Sequence, residues 1–393
     1  MRPVLEVADI FRKYGQIYLK DHRLSKAQLK GMQAIERCRT SSLGGHIDAC
    51  RKCGSVQVSY NSCRNRHCPK CQAIARERWL QARKEELLPV PYFHVVFTLP
   101  HDLNPVIRCN EVVGYRLLFQ AAAQTVKELS EDKKYLGATP GMMSILHTWG
   151  QNLMYHPHIH SIIPAGGLCK DGSWRSGREN FFLPVKVMSR LFRGKFLSLL
   201  KQKYQGGELK FYGRAVELAL APEFNSLMNK LYKQEWVVYA KKPFGGPEQV
   251  LSYLGRYTHR VAIANHRLIK MENDLVYFRW KDYKQQGKQK VMKLTAEEFI
   301  RRFLMHILPT GFCKIRYAGF LATRGRKERI KHIRRILKCK TKELQKRSWQ
   351  EWLYELTGII PGYCPTCKDE ALITVKVFPT AREPPLSIQN EVA

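Results

Sequence analysis

Six of the chain's twelve cysteines (Cys38, Cys50, Cys53, Cys63, Cys68 and Cys71) fall within 34 residues near the N-terminus. Two pairs have the form Cys-x2-Cys, Cys50 with Cys53 and Cys68 with Cys71, and 14 residues separate them. Each pair brings two thiols to one side of a tight turn, and two such turns supply four thiolates to a tetrahedral zinc ion. Packing alone gives no reason for that spacing. The expectation is a small zinc-binding module with Cys50, Cys53, Cys68 and Cys71 as one ligand set. Cys38, His46, Cys63 and His67 are interleaved with them and could build a second site of two thiols and two imidazoles. In the alternative reading the two histidines support ligands or face DNA, and the two cysteines pack in the core. Cys364-Pro-Thr-Cys367 is half a site with no second pair nearby in sequence, so its metal binding stays open.

Charge narrows the partner. The chain of 393 residues carries 67 Lys or Arg against 33 Asp or Glu, a formal charge of +34. A hydrophobic share of 44% excludes a disordered basic tail, and the length allows two or three domains. No run of about 18 apolar residues is present, so a transmembrane helix is not expected. The opening MRPVLEVADIFRKYG lacks the apolar stretch of a secretory signal, which leads to the expectation of a cytoplasmic, nucleoid-associated protein. An excess of positive charge this large is the usual footprint of nucleic acid. Basic residues surround the cysteine turns, notably Arg64 and Arg66. From Leu321 to Arg347 twelve Lys or Arg stand against two Glu, among them Arg324, Arg326 and Lys327; this reads as a basic helix that meets phosphates.

Pro89 and Pro91 end a helical stretch that begins at Ala73, and Tyr92–Leu99 is β-branched and aromatic as in a buried strand. The resulting division is residues 1–88 as a zinc-binding, DNA-docking domain, 89–320 as a central domain and 321–393 as a basic helical region. Within the central part, helices are expected over 111–130, 187–204, 222–234 and 248–258, with strands at 235–239, 275–280 and 288–294. Asp171-Gly172 is expected to close a hairpin, and Thr295-Ala-Glu-Glu298 to cap a helix through Leu308.

Two constellations carry chemistry. His147, His156, His158 and His160 place four of the chain's 13 histidines within 14 residues. On a strand, residues two apart point to one face, so His158 and His160 can hold one ion while Ile159 packs inward. His147 could arrive from an adjoining strand as a third ligand. Tyr253 and Tyr257 lie at i and i+4 of an expected helix and so share a face. An aromatic stripe in the core would explain them alone; beside a metal site, a phenol is a nucleophile suited to a phosphodiester. Its pKa near 10 calls for a neighbouring cation, and Lys241, Lys242, Arg256 and Arg260 are candidates. Gly255 lies between the tyrosines and weakens a helix by about 1 kcal/mol relative to Ala.

These motifs, in this order, resemble the rolling-circle HUH transposases with a tyrosine pair, typified by insertion sequence ninety-one. The resemblance runs nearly end to end. It rests on Asn61-Ser-Cys-Arg-Asn-Arg-His-Cys-Pro-Lys-Cys71, Phe93-His-Val-Val-Phe-Thr-Leu-Pro100, Trp149-Gly-Gln-Asn-Leu with His156-Pro-His-Ile-His160, Tyr253-Leu-Gly-Arg-Tyr-Thr-His-Arg260, Arg301-Arg-Phe-Leu-Met-His306 and Ile315-Arg-Tyr-Ala-Gly-Phe320. It implies an α+β fold in which a central antiparallel sheet carries the histidines and the tyrosine helix packs across it. It also implies an activity: Tyr253 or Tyr257 attacks single-stranded DNA, leaving a 5′-phosphotyrosine bond and a free 3′-hydroxyl. His158 and His160 match the metal ligands, His147 matches the third histidine of related relaxases, and His156 is an alternative. The implied catalytic ion is magnesium or manganese, beside one or two structural zinc ions. Two other functions compete: a plasmid replication initiator or relaxase with the same chemistry, and a non-catalytic zinc-dependent nucleic-acid-binding protein.

Overall fold

The computed structural model describes residues 5–180, 182–241, 247–258, 262–282, 285–339, 347–369 and 371–380. Within 247–258 the side chains of Pro247, Val250, Tyr253, Leu254, Arg256 and Tyr257 lie outside that description.

The N-terminal part opens with α1 (Val7–Asp21) and α2 (Lys26–Glu36). Ser25 starts α2 with a reciprocal capping box to Gln28, which satisfies two backbone donors that a helix start otherwise leaves unpaired. A hairpin follows, β1 (Gly45–Cys50) and β2 (Val56–Tyr60), then α3 (Ala73–Lys84).

The central part contains β3 (Tyr92–Thr98), α4 (Asn104–Cys109), α5 (Glu111–Glu131), β4 (Thr139–Trp149), β5 (Tyr155–Pro164), β6 (Gly166–Leu168) and β7 (Trp174–Ser176). It continues through α6 (Val185–Gln205), α7 (Ala221–Lys233), β8 (Val238–Lys241) and α8 (Pro247–Thr258). Then come β9 (Leu268–Glu272), β10 (Leu275–Asp282), β11 (Lys288–Thr295), α9 (Ala296–Leu304) and β12 (Ile315–Gly319). The main sheet has the order β7-β6-β4-β5-β3-β8, with β12 paired to β4, and its pairings are antiparallel.

Strand alternation sorts this sheet into two faces. Phe93, Val95 and Phe97 of β3, Leu146 of β4, and Ile159 and Ile163 of β5 bury against α5 and α6 in the largest core. The alternate residues Tyr92, Met143, Ile145 and Ile162 meet Leu80 of α3 and Leu251 of α8 on the other face. Each strand thus has an apolar lining on both sides. A second core joins α1 and α2 to β9–β11 and α9, with Phe11 edge-on to Phe303 at 5.3 Å. Residues from both sides of the expected boundary after residue 88 therefore share one core.

The C-terminal part departs from the expectation of one long basic helix. It forms α10 (Arg326–Ile336), α11 (Trp349–Thr357) and a strand, β13 (Leu372–Phe378). α10 buries Ile330 and Ile333 against Leu88 and Phe320, and the Arg334 guanidinium donates to the carbonyls of Glu85 and Leu87. β13 then pairs antiparallel with β1, giving a three-stranded sheet β13-β1-β2. Strands from the N-terminal and the C-terminal parts thus share one small sheet.

Candidate functional site

Register brings the histidines together. On β4 and β5, His147 and His158 are direct cross-strand partners, and His160 lies opposite Ile145 on one side and Val96 of β3 on the other. His147, His158 and His160 share parity with Met143, Ile145 and Ile162, so they lie on the sheet face that also seats α3 and α8. One ring nitrogen from each of the three lies within 4.8 Å of the others. The Nε2 atoms of His158 and His160 are 3.1 Å apart. Octahedral nitrogens at about 2.1 Å from an ion stand about 3.0 Å apart, so this spacing fits one polyhedron edge.

Neighbours fix which nitrogen is free to ligate. His158 Nδ1 donates to the His156 carbonyl at 2.6 Å, which leaves Nε2 as the lone-pair nitrogen. His160 Nδ1 faces His94 Nε2 at 2.8 Å, so in the tautomer that leaves Nε2 free to ligate, Nδ1–H donates to His94. His156, the alternative ligand, contributes its carbonyl here, while its ring lies near His101 at 5.1 Å. The Trp149 ring stacks on His147 at 4.8 Å.

Burial keeps these rings neutral, the state a ligand needs. It pushes His158 down to about 3 and His94 to about 4, and holds His147 and His160 well below the ordinary histidine value. Lys314 adds to the effect on His147 by its charge, and burial lowers its own amine to about 7. His94 and Lys314 were not legible as site residues, although His94 stands in the quoted Phe93–Pro100 motif. His306, in another quoted motif, is structural. Its Nε2 lies 3.0 Å from the Leu153 carbonyl and its Nδ1 3.1 Å from the Thr148 hydroxyl.

The tyrosine helix is α8. Among its described side chains Leu251 and Thr258 are buried, as is Gly255, where a Cβ would sit 2.6 Å from the Leu80 side chain. Gly255 is therefore the price of close approach between α3 and α8, which the sequence left without explanation. Tyr253 and Tyr257 stand on this helix; their side chains and that of Arg256 lie outside the described atoms, and Lys242 and Arg260 lie outside the described residues.

The thiols group differently from the sequence reading. Cys68 and Cys71 join Cys38 and Cys63, whereas Cys50 and Cys53 join Cys364 and Cys367. In the first cluster Cys71 Sγ lies 3.3 Å from Cys38 Sγ and 3.5 Å from Cys63 Sγ. The expected set Cys50, Cys53, Cys68 and Cys71 is thus corrected: the two turns do not face each other, because β13 brings a third turn to the first. Neither histidine is in a cluster. His67 accepts from the Leu308 N–H through Nε2 at 3.2 Å and sets Nδ1 3.2 Å from Asn65 Oδ1; His46 pairs with Asp48 at 3.3 Å.

Among the expected DNA contacts, Arg64, Lys241, Arg324 and Lys327 are exposed. Two others are turned into the protein rather than exposed. Arg66 donates to the carbonyls of Phe312 and Pro309 at 2.6 and 2.9 Å. Arg326 lies over the Tyr317 ring at 4.5 Å and pairs with Glu86 at 3.1 Å. No helix among the described residues is long and apolar enough to cross a membrane.

With this geometry in view, comparison with known proteins is direct. Residues 10–99 match the model of a transposase zinc-binding domain, and residues 141–329 match a domain described as "Putative transposase". The chain is 47% identical over 386 residues to a Sinorhizobium fredii protein named "Putative transposase y4qJ", covering 97% of each. It is 28% identical over 329 residues to the Pseudomonas savastanoi pv. phaseolicola "Transposase for insertion sequence element IS801", covering 82% of this chain and 77% of that protein. No solved structure matches. The zinc-binding match and the thiol clusters together make zinc a structural component.

Proposed function

Because the chain belongs to the insertion-sequence-ninety-one family of transposases, we propose that it cuts and rejoins single-stranded DNA at element ends through Tyr253 and Tyr257. The observation that carries this reading is the shared sheet face: α8 rests, through Leu251, on the side of the β4–β5–β3 strands that presents His147, His158 and His160. Nucleophile helix and ligand set are thereby held against one rigid scaffold.

In the reaction a tyrosine phenolic oxygen attacks the scissile phosphorus. A phosphorus–oxygen bond to tyrosine forms as the bond to the 3′-oxygen breaks; the phenol gives up its proton and the 3′-oxygen takes one up, so protons balance over the step. The phosphotyrosine link keeps the energy of the broken diester, so a 3′-hydroxyl on a target strand can reverse the step without ATP. A magnesium or manganese ion held by the three histidines would polarise the phosphate and offset the developing charge. His94 and the His156 carbonyl orient two of the ligands. Exposed Arg64, Lys241, Arg324 and Lys327 supply DNA backbone contacts. A protein of this function works on cytoplasmic, nucleoid DNA.

The test is incubation of labelled single-stranded element ends with Mn²⁺ and protein. A protein–DNA adduct that survives denaturation is expected, and Tyr253→Phe with Tyr257→Phe should remove it while leaving DNA binding intact. Adduct persisting in the double variant would refute the nucleophile assignment, and no adduct from the native protein would favour a binding protein without catalysis.

A further inference from the structure

We propose that Cys50, Cys53, Cys364 and Cys367 hold a second structural zinc ion, one that fastens the C-terminal strand to the N-terminal module. Both matched transposase regions end before residue 364, the second of them at 329. The four sulfur atoms lie within 4.8 Å of one another, with Cys50 Sγ 3.6 Å from Cys367 Sγ and Cys53 Sγ 3.6 Å from Cys364 Sγ. A tetrahedral zinc with bonds of about 2.3 Å separates its sulfurs by about 3.8 Å, whereas a disulfide needs about 2.05 Å. The observed spacing is that of co-ligands.

The backbone supports the same conclusion, because the two turns are built alike. Gly54 N–H donates to the Cys50 carbonyl at 3.0 Å, and Lys368 N–H donates to the Cys364 carbonyl at 2.8 Å. The residue after each second cysteine is left-handed, Gly54 at φ 73° and Lys368 at φ 59°. Cross-links between the turns hold them face to face: Lys52 pairs with Asp369, Thr366 Oγ1 donates to Ser55 Oγ at 3.1 Å, and Arg51 N–H donates to the Ala371 carbonyl at 2.9 Å. A thiol buried for packing explains none of this, and Cys53 is exposed.

The strand needs such a fastening. Val375 and Val377 of β13 are 55% and 74% exposed, and no β13 side chain belongs to a buried cluster among the described residues. Three-stranded sheets without a core are marginal, so β13 holds to β1 by its ladder, by links such as Thr374 to Asp48, and by the thiol cluster. The fastening closes a loop that contains the whole histidine sheet, α8 and the basic α10.

Zinc per chain, measured by elemental mass spectrometry on the full-length protein, should be two. Cys364→Ser with Cys367→Ser should lower it to one, as should Cys50→Ser with Cys53→Ser, and limited proteolysis within 347–380 should quicken at least tenfold. Native protein needs no variant for a parallel check: Cys364 and Cys367 should resist alkylation until a chelator is added, while exposed Cys313 reacts at once. One zinc in the native protein, two in the Cys364/Cys367 variant, prompt alkylation of both thiols, or an intact mass lowered by cross-turn disulfides would each overturn the proposal.

Discussion

The histidine centre and the Cys50/Cys53/Cys364/Cys367 cluster are both ligand sets, yet they are assembled in opposite ways. The histidines come from two adjacent strands within fourteen residues, and the register of β4 on β5 positions them inside a sheet covered on both faces. The thiols come from two turns 311 residues apart and sit on a thin sheet whose flanking side chains face solvent. A ligand set fixed by a core survives the loss of its ion; one that replaces a core does not. The difference matches the two proposed roles, one site for chemistry and one that holds the fold together.

The strongest way to break this comparison is His160→Ala. It should reduce adduct formation by about 10³-fold, the several kcal/mol a polarising ion contributes, while zinc content and resistance of 347–380 to protease stay as in the parent. Loss of protease resistance in that variant would mean the two regions are not independent. A smaller effect sharpens it: His94→Ala should leave zinc unchanged and weaken Mn²⁺ activation by about 10–100-fold, as expected when the group orienting a ligand is lost. Activation at the parental Mn²⁺ concentration would remove His94 from the site. The smallest effect concerns the seat of the tyrosine helix. Gly255→Ala should destabilise by about 1–3 kcal/mol through overpacking on Leu80, and adding Leu80→Ala should recover part of the loss in urea unfolding. A purely additive pair would show that α3 and α8 do not press on each other.

How much could be read from the chain alone follows the same divide. The His158-Ile-His160 alternation is local, and a strand imposes it, so sequence sufficed to place these two histidines side by side. β4 was harder. Thr139–Trp149 is buried along nearly its whole length, so it shows no alternation, and only His147 hinted at a strand. The Asp171-Gly172 hairpin and the Thr295 cap are nearest-neighbour chemistry, and both form, although the helix that Thr295 starts ends at Leu304 rather than Leu308. Cysteine spacing announces tight turns but not which turns face each other. Pairing Cys50 and Cys53 with Cys68 and Cys71 was the shortest connection, and it lost to one made by β13, whose position depends on everything between. Gly255 looked like a defect because its reason, Leu80, lies on another helix.

The order in which a ribosome delivers the chain gives that long closure a timing. Cys50 and Cys53 emerge early and stay without their partners until Cys364 and Cys367 are made, roughly 15–60 s later at about 5–20 residues per second. A copy cut short before residue 364 would keep the sequence of its histidine sheet but lack half of the proposed thiol cluster.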